Sequence, residues 1–174
     1  MQKHDEAIIG LGGNVGEPRA ITDRFARARA ALGQLGRVRS APLYRSAPLG
    51  PAQPAYLNSA IALEIVDAQP GELIATLLEL ERLLGRDRRG EERWGPRPID
   101  LDVLVWGARV IATPELTVPH PRLAERRFAL APLVALVGAD FVVPGAGRAG
   151  DLLARVADQD VSEIASVWPD SSGG

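Results

Sequence analysis

The stretch from Ile99 to Trp106 (Ile-Asp-Leu-Asp-Val-Leu-Val-Trp) alternates in polarity and is rich in β-branched residues, the pattern of a half-buried strand. Side chains on a strand alternate faces, so Asp100 and Asp102 share one face and Leu101, Val103 and Val105 the other. Carboxylates at i and i+2 lie roughly 6–7 Å apart at their Cα atoms. They can converge on one divalent cation, or on two cations about 3.5–4 Å apart. Mg²⁺ suits such a pair, because it completes its octahedron with water and phosphate oxygens. The plain alternative is two acids at a solvated strand mouth.

The segment before this strand weighs against that alternative. It carries Arg86, Arg88, Arg89, Arg93 and Arg97, interspersed with Gly85, Gly90 and Gly95. Guanidinium groups hold phosphates bidentately and glycines let a segment move, so a mobile polyphosphate clamp beside a metal site is expected over residues 86–97. Asp87, Glu91 and Glu92 offer the competing reading, ordinary pairing in an exposed loop.

Composition narrows the chemistry. With 174 residues the chain is expected to form one domain over 1–174, with polar tails at 1–5 and 170–174 disordered. A formal charge of −2 gives no reason to invoke a nucleic-acid or membrane partner. No apolar run approaches 18 residues and no signal-peptide layout is present, so a cytoplasmic protein, monomeric in the simplest case, is expected. The absence of cysteine excludes disulfides, thiolate zinc sites and cysteine nucleophiles. Lys3 is the only lysine and lies in the N-terminal tail, which excludes the phosphate-binding lysine of P-loop ATPases and protein kinases and the amine of Schiff-base enzymes. Phosphate chemistry here falls to arginine, histidine and metal.

Ala7 to Leu11 reads as a short buried strand ending in a turn, Gly12-Gly13-Asn14; the G-x-G-x-x-G dinucleotide spacing fails at Val15. Pro18 opens a helix whose stripe is Ile21, Phe25, Ala28, Leu32 and Leu35, with Gly36 ending it. Arg37 to Arg45 is extended, and a proline-stiffened loop follows over 46–54. Ala55 to Val66 alternates, with Leu57, Ile61, Leu63 and Ile65 on the apolar face and Tyr56 and Asn58 opposite. Gln69-Pro70-Gly71-Glu72 opens a second helix with Leu73, Ile74, Leu77, Leu80 and Leu84 inward. Glu81 falls on that stripe, where a carboxylate needs either an arginine partner or the ligand site. Arg109 to Ile111 reads as a short strand, and prolines on both sides of His120 argue for a positioned imidazole. An apolar helix runs from Arg126 to Val137, and a small one falls within Gly147 to Val156. Strand–helix–strand–strand–helix–strand, with helices added at the end, is an α/β (α+β) plan: a ferredoxin-like βαββαβ core within a three-layer α/β/α sandwich.

Taken together, Gly12-Gly13-Asn14, Tyr44-Arg45-Ser46, Pro48-Leu49-Gly50, Tyr56-Leu57-Asn58, Gly85-Arg86, Arg93-Trp94-Gly95-Pro96-Arg97, Asp100-Leu101-Asp102, Val118-Pro119-His120 and Arg126-Arg127-Phe128 resemble the 6-hydroxymethyl-7,8-dihydropterin pyrophosphokinase family of folate biosynthesis. The likeness runs in family order over about residues 7–160. It implies transfer of the β,γ-diphosphate of ATP, as co-substrate, to the pterin hydroxymethyl group with release of AMP. It also implies two Mg²⁺ ions on Asp100 and Asp102, and a pterin pocket of Pro48, Leu49, Tyr56, Asn58 and Phe128. Arg86, Arg88, Trp94 and Arg97 resemble the mobile loop over ATP, with Arg86 and Arg97 catalytic. Glu81, Thr117, His120 and Arg126 resemble the remaining nucleotide contacts. Two other classes compete. A non-catalytic ligand-sensing module leaves the paired acids unexplained, and a nucleic-acid-binding ferredoxin-like domain is disfavoured by 5% aromatics and the net charge.

Overall fold

A computed structural model describes residues 4–168. The expected C-terminal tail at 170–174 therefore lies outside the described residues, as do positions 1–3 of the N-terminal one. The elements are β1 (His4–Gly13), α1 (Pro18–Leu32), β2 (Arg37–Ser40), β3 (Leu43–Ser46), β4 (Tyr56–Val66), α2 (Pro70–Leu83), β5 (Asp100–Trp106), β6 (Ile111–Ala112), β7 (Thr117–Val118), α3 (Arg127–Val137), β8 (Val142–Val143), β9 (Gly147–Arg148), α4 (Ala149–Arg155) and β10 (Val161–Ala165). Six strands form one antiparallel sheet in the order β10-β3-β4-β1-β5, with β2 beside the second half of β4. Taking β2 and β3 as one broken strand gives the expected ferredoxin-like core. Among the described residues no helix is long and apolar enough to cross a membrane.

Strand alternation divides the core in two. Ile9, Leu11, Leu57, Ile61, Leu63, Leu101 and Val103 face α1 and α2, where they meet Ile21, Phe25, Leu73 and Leu77. Ile8, Ala60, Ala62 and Leu104 face the opposite way, against Leu130 and Leu133 of α3 and Leu152 of α4. The sheet is thus covered by helices on both sides.

Several local expectations require correction. His4 and Asp5 belong to β1 rather than to a polar tail: Asp5 pairs with Ile65 across the sheet, and its carboxylate lies 2.6 Å from Arg109 Nη2. Gly12 and Gly13 are the last residues of β1, not a turn. The first helix stops at Leu32, where the Gly33 N–H closes onto the Arg29 carbonyl, and this leaves Leu35 45% exposed. Gly36 serves the sheet instead, since a Cβ there would fall 2.0 Å from the Glu64 carbonyl oxygen. The short strand expected from Arg109 begins at Ile111, because Arg109 turns back to stack on Trp106 (4.4 Å) and pair with Asp5. β10 carries no apolar run to announce it; it forms by pairing with the free edge of β3.

Val105 also departs from its expected face. Ile8 pairs with Val105 and Ile9 with Val103, so Leu104 is an extra residue in β5. This β-bulge turns Val105 toward α3 and α4, alongside Leu104, and returns Trp106 to the α1/α2 side. The Leu104 carbonyl accepts the backbone N–H of His120 at 2.8 Å, so the bulge anchors the loop that carries the imidazole.

Candidate active site

The α3/α4 layer covers only part of its face of the sheet. Beyond it, Gly10, Gly12, Tyr56, Asn58, Asp100 and Asp102 line the floor of a cavity of about 280 Å³. In register, Gly12 stands between Asn58 on β4 and Asp100 on β5, and Gly10 lies opposite Asp102. Neighbouring strands lie about 4.8 Å apart, so Asn58 and Asp100 are about 10 Å apart across a side-chain-free strip. Glycine keeps the strip bare: a Cβ on Gly12 would stand on the floor in contact with Asn58 Oδ1 at 3.5 Å, and one on Gly10 would press on the Leu104 methyls at 3.2 Å. Such a floor can receive a flat ring.

Two walls of different chemistry rise from it. Leu49, Ala47, Ser46, Phe128 and Ala129 form a largely apolar side. Asn58, 2% exposed, donates from Nδ2 to Ser46 Oγ at 2.7 Å, which leaves its carbonyl oxygen free to accept. Arg93, Trp94, Arg97, His120, Arg122 and Arg126 form the basic side. Among the described residues Arg126 makes no ion pair and its buried Nε has no hydrogen-bond partner; burial, followed by the nearby Arg122, lowers its pKa. An anionic ligand would relieve that charge.

His120 Nδ1 accepts the Arg122 backbone N–H at 3.1 Å, which puts the proton of the neutral ring on Nε2. Burial, reinforced by Arg126 and Arg122, lowers the pKa of this imidazole to about 4. At neutral pH it is an uncharged hydrogen-bond donor.

The two aspartates differ sharply. Asp102 opens into the cavity and accepts no hydrogen bond from the described residues. Desolvation by the cavity walls, with Asp100 and Glu81 nearby, raises its carboxyl to about 6. Asp100 is held instead by Arg86 Nη1 at 2.5 Å and Arg97 Nη1 at 3.1 Å.

Behind Asp100 lies an ionic knot that the loop composition only half suggested. The Arg86 side chain is 3% exposed; Nη1 also reaches Glu81 Oε2 (2.6 Å), and Nε and Nη2 reach the two Glu91 oxygens (2.9 and 2.6 Å). Glu81 further accepts the Leu101 N–H at 3.0 Å and pairs with Arg88 at 2.8 Å. The carboxylate on the helix stripe therefore has arginine partners. Arg86 and Glu81 stand beneath the floor, Arg88 pairs outside it, and Arg89 pairs with Asp87. Pairing within the loop accounts for Arg89 alone; Arg86 joins Glu91 of the loop to Glu81 of α2 and Asp100 of β5, Arg88 pairs with Glu81, and Arg93 and Arg97 line the cavity, Arg97 while also paired with Glu91 and Asp100. Of the remaining expected site residues, Pro48 is next to the lining residue Leu49, and Thr117 is exposed in the β6–β7 ladder, outside the lining.

The family profile of 7,8-dihydro-6-hydroxymethylpterin-pyrophosphokinase (HPPK) matches residues 8–138. The chain belongs to this family. It is 38% identical over 170 residues to the 2-amino-4-hydroxy-6-hydroxymethyldihydropteridine pyrophosphokinase of Synechocystis, covering 96% of this chain and 81% of that protein. It is also 38% identical over 139 residues to a folate synthesis bifunctional protein of Arabidopsis thaliana, of which it spans only 28%. The fold resembles the crystal structure of wild-type Plasmodium falciparum HPPK-DHPS with pteroate (TM-score 0.68, 10% identity), over 91% of this chain and 45% of that one.

Within this member of the family, sequence reasoning passed over Gly10 and Arg122 and took Gly12 and Asn14 only as parts of a turn. Gly10 and Gly12 fall on the same strand face as Asp100 and Asp102, and a glycine at every second position of a buried strand was the available signal. Arg122 carried none. Asn14 did, as part of the glycine segment: its Oδ1 accepts the Arg97 N–H at 2.9 Å, its N–H donates to the Arg97 carbonyl at 3.0 Å, and its Nδ2 reaches Gln53 Oε1 at 2.9 Å.

Proposed function

We propose that this cavity carries out ATP-dependent diphosphate transfer to 6-hydroxymethyl-7,8-dihydropterin in folate biosynthesis. The pterin hydroxyl oxygen attacks the β-phosphorus, the bond from that phosphorus to the α–β bridging oxygen breaks, AMP departs, and the hydroxyl proton is lost. The observation that carries the reading is the row Asn58–Gly12–Asp100, which sets a fixed amide acceptor and an acidic pair at opposite sides of one bare floor.

The ring would lie on Gly12 between Tyr56 and Phe128, bounded by Leu49 and Pro48, with its N–H edge toward Asn58 Oδ1. The triphosphate would lie toward Arg93, Arg97 and Arg126, with the His120 Nε2–H as a neutral donor. Reaction by in-line displacement needs positioning and charge neutralisation rather than a covalent nucleophile, and this wall supplies both.

Asp100 and Asp102 fit Mg²⁺. Asp102 is open and accepts no hydrogen bond from the described residues, and desolvation with Asp100 and Glu81 nearby disfavours its bare charge, a condition a cation relieves. No cluster of three or more ligating side chains occurs among the described residues, so the coordination sphere would need phosphate oxygens and water, as Mg²⁺ prefers. When bound there, the metal would supply charge neutralisation at the phosphates. Were Arg97 to loosen its contacts with Asp100 and Glu91, that guanidinium would become available to phosphate.

The test is incubation with ATP, Mg²⁺ and the reduced pterin alcohol, followed by nucleotide chromatography. AMP should form in step with pterin diphosphate. Accumulation of ADP would instead mean γ-phosphoryl transfer and would overturn the reading.

A further inference from the structure

Three loops meet at the mouth of the cavity: 47–55, 87–98 and 119–126. The backbone of the second is held by polar contacts, among them Arg24 Nη1 to the Pro98 carbonyl at 3.3 Å. Gln53 Nε2 donates to the Trp94 carbonyl at 2.6 Å, Tyr56 Oη donates to the Gly95 carbonyl at 2.9 Å, and Asn14 grips Arg97. Trp94 itself has φ of 65°, a backbone conformation that a non-glycine residue keeps only when its surroundings impose it. Gly50 makes room for it, since a Cβ there would lie 2.8 Å from the Trp94 Cβ.

The link from Trp94 to the third loop is made by a side chain. The Arg122 guanidinium lies over the Trp94 ring, 4.7 Å from its centroid. Arg122 is prepared for this contact. Its N–H is tied to His120 Nδ1, and its Nε lies 3.2 Å from Glu125 Oε2. A planar guanidinium can pair through its edge and stack through its face at once, so Glu125 orients the group without consuming the stack.

We infer that Arg122 is a positioning residue that latches Trp94, and with it segment 93–97, across the mouth of the cavity before nucleotide arrives. The inference deepens the diphosphate-transfer reading by naming what keeps the phosphate-facing segment in place. Arg122 acts through Trp94 and need not touch the transferred group.

Amide exchange of the ligand-free protein tests the latch without reference to turnover. Arg122→Ala should speed exchange over residues 94–97 roughly fivefold, the size of one partly exposed cation–π contact. Arg122→Lys should leave exchange slower than Arg122→Ala does. In a Trp94→Ala background, Arg122→Ala should add nothing. In steady-state assays Arg122→Ala should raise KM for ATP more than it lowers kcat. Unchanged exchange in Arg122→Ala, or an equal acceleration with Trp94 already removed, would overturn the latch. Failure to form AMP in the wild type would remove the reaction reading and leave the exchange result standing.

Discussion

On the α1/α2 side of the sheet, Phe25, Leu32, Ile61, Leu63 and Leu77 are fully buried, whereas on the other side the same strands present Gly10, Gly12, Asn58, Asp100 and Asp102 to an open cavity. The difference arises from strand alternation combined with incomplete cover. Odd positions of β4 and β5 up to Val103 meet two full helices. Even positions meet α3 only around Ala60, Ala62 and Leu104. One face can therefore supply folding energy while the other carries groups that would be poor core residues. Substitutions on the two faces should consequently move different observables.

The largest separation is expected at Asp102. Asp102→Ala should lower kcat by about a thousandfold or more, the order seen when a principal electrostatic stabiliser is removed. Its pKa is raised by folding, so the ionised carboxylate opposes folding above about pH 6. The urea midpoint at pH 7.5 should thus be unchanged or higher. A large loss of stability would break the comparison.

Phe25→Ala, on the sealed face, should do the reverse. It should cost about 4 kcal/mol in urea unfolding, the range for deleting a buried phenyl group, with KM values near wild type at temperatures where the variant is folded. A selective change in pterin KM would show that the two faces are coupled.

Arg86 stands between the two regions and sharpens the contrast. Arg86→Met would take the most buried cation from Glu81 and Glu91 and leave them only the more exposed Arg88 and Arg97, with an expected loss of about 3 kcal/mol in unfolding free energy. Because Asp100 also loses a partner, kcat should fall as well. Loss of activity with unaltered stability would mean that the knot serves the cavity alone.

His120 supplies a pH test. Its folded pKa, about 4, lies below the unfolded value near 6.5, so the folded state resists protonation. The stability from keeping the ring neutral should be complete above about pH 6.5, should decline as pH falls, and should be lost through pH 4. NMR titration of the two histidines, assigned with His120→Gln, should show one imidazole still neutral at pH 5.5. Two midpoints near 6.5 would place His120 in solvent.

The smallest effect is expected at Tyr56. Tyr56→Phe removes one hydrogen bond, to the Gly95 carbonyl, and keeps the ring. Stability should drop by about 1 kcal/mol, with a modest rise in KM for ATP as the mouth loosens. Differential scanning fluorimetry and initial rates measure both.

Strand parity, the two helical stripes and the acidic pair are local patterns, and they are legible in the chain because period-2 and period-3.6 alternation reports directly which side chains share a face. That is why Asp100 with Asp102, Tyr56 with Asn58, and the misplaced Glu81 could be picked out from residue order. The partners of these residues were not legible. Arg86 and Arg88 look alike in the sequence, yet Arg86 is enclosed by Glu81, Glu91 and Asp100 while Arg88 pairs at the surface, because only the packed arrangement decides which guanidinium lies under β5. The bulge at Leu104, the β10 edge strand and the meeting of Arg122 with Trp94 likewise depend on contacts between segments distant in sequence. Local pattern determines which way a side chain faces; the tertiary structure decides what it meets there, because pairing energies depend on distances that no short-range period encodes.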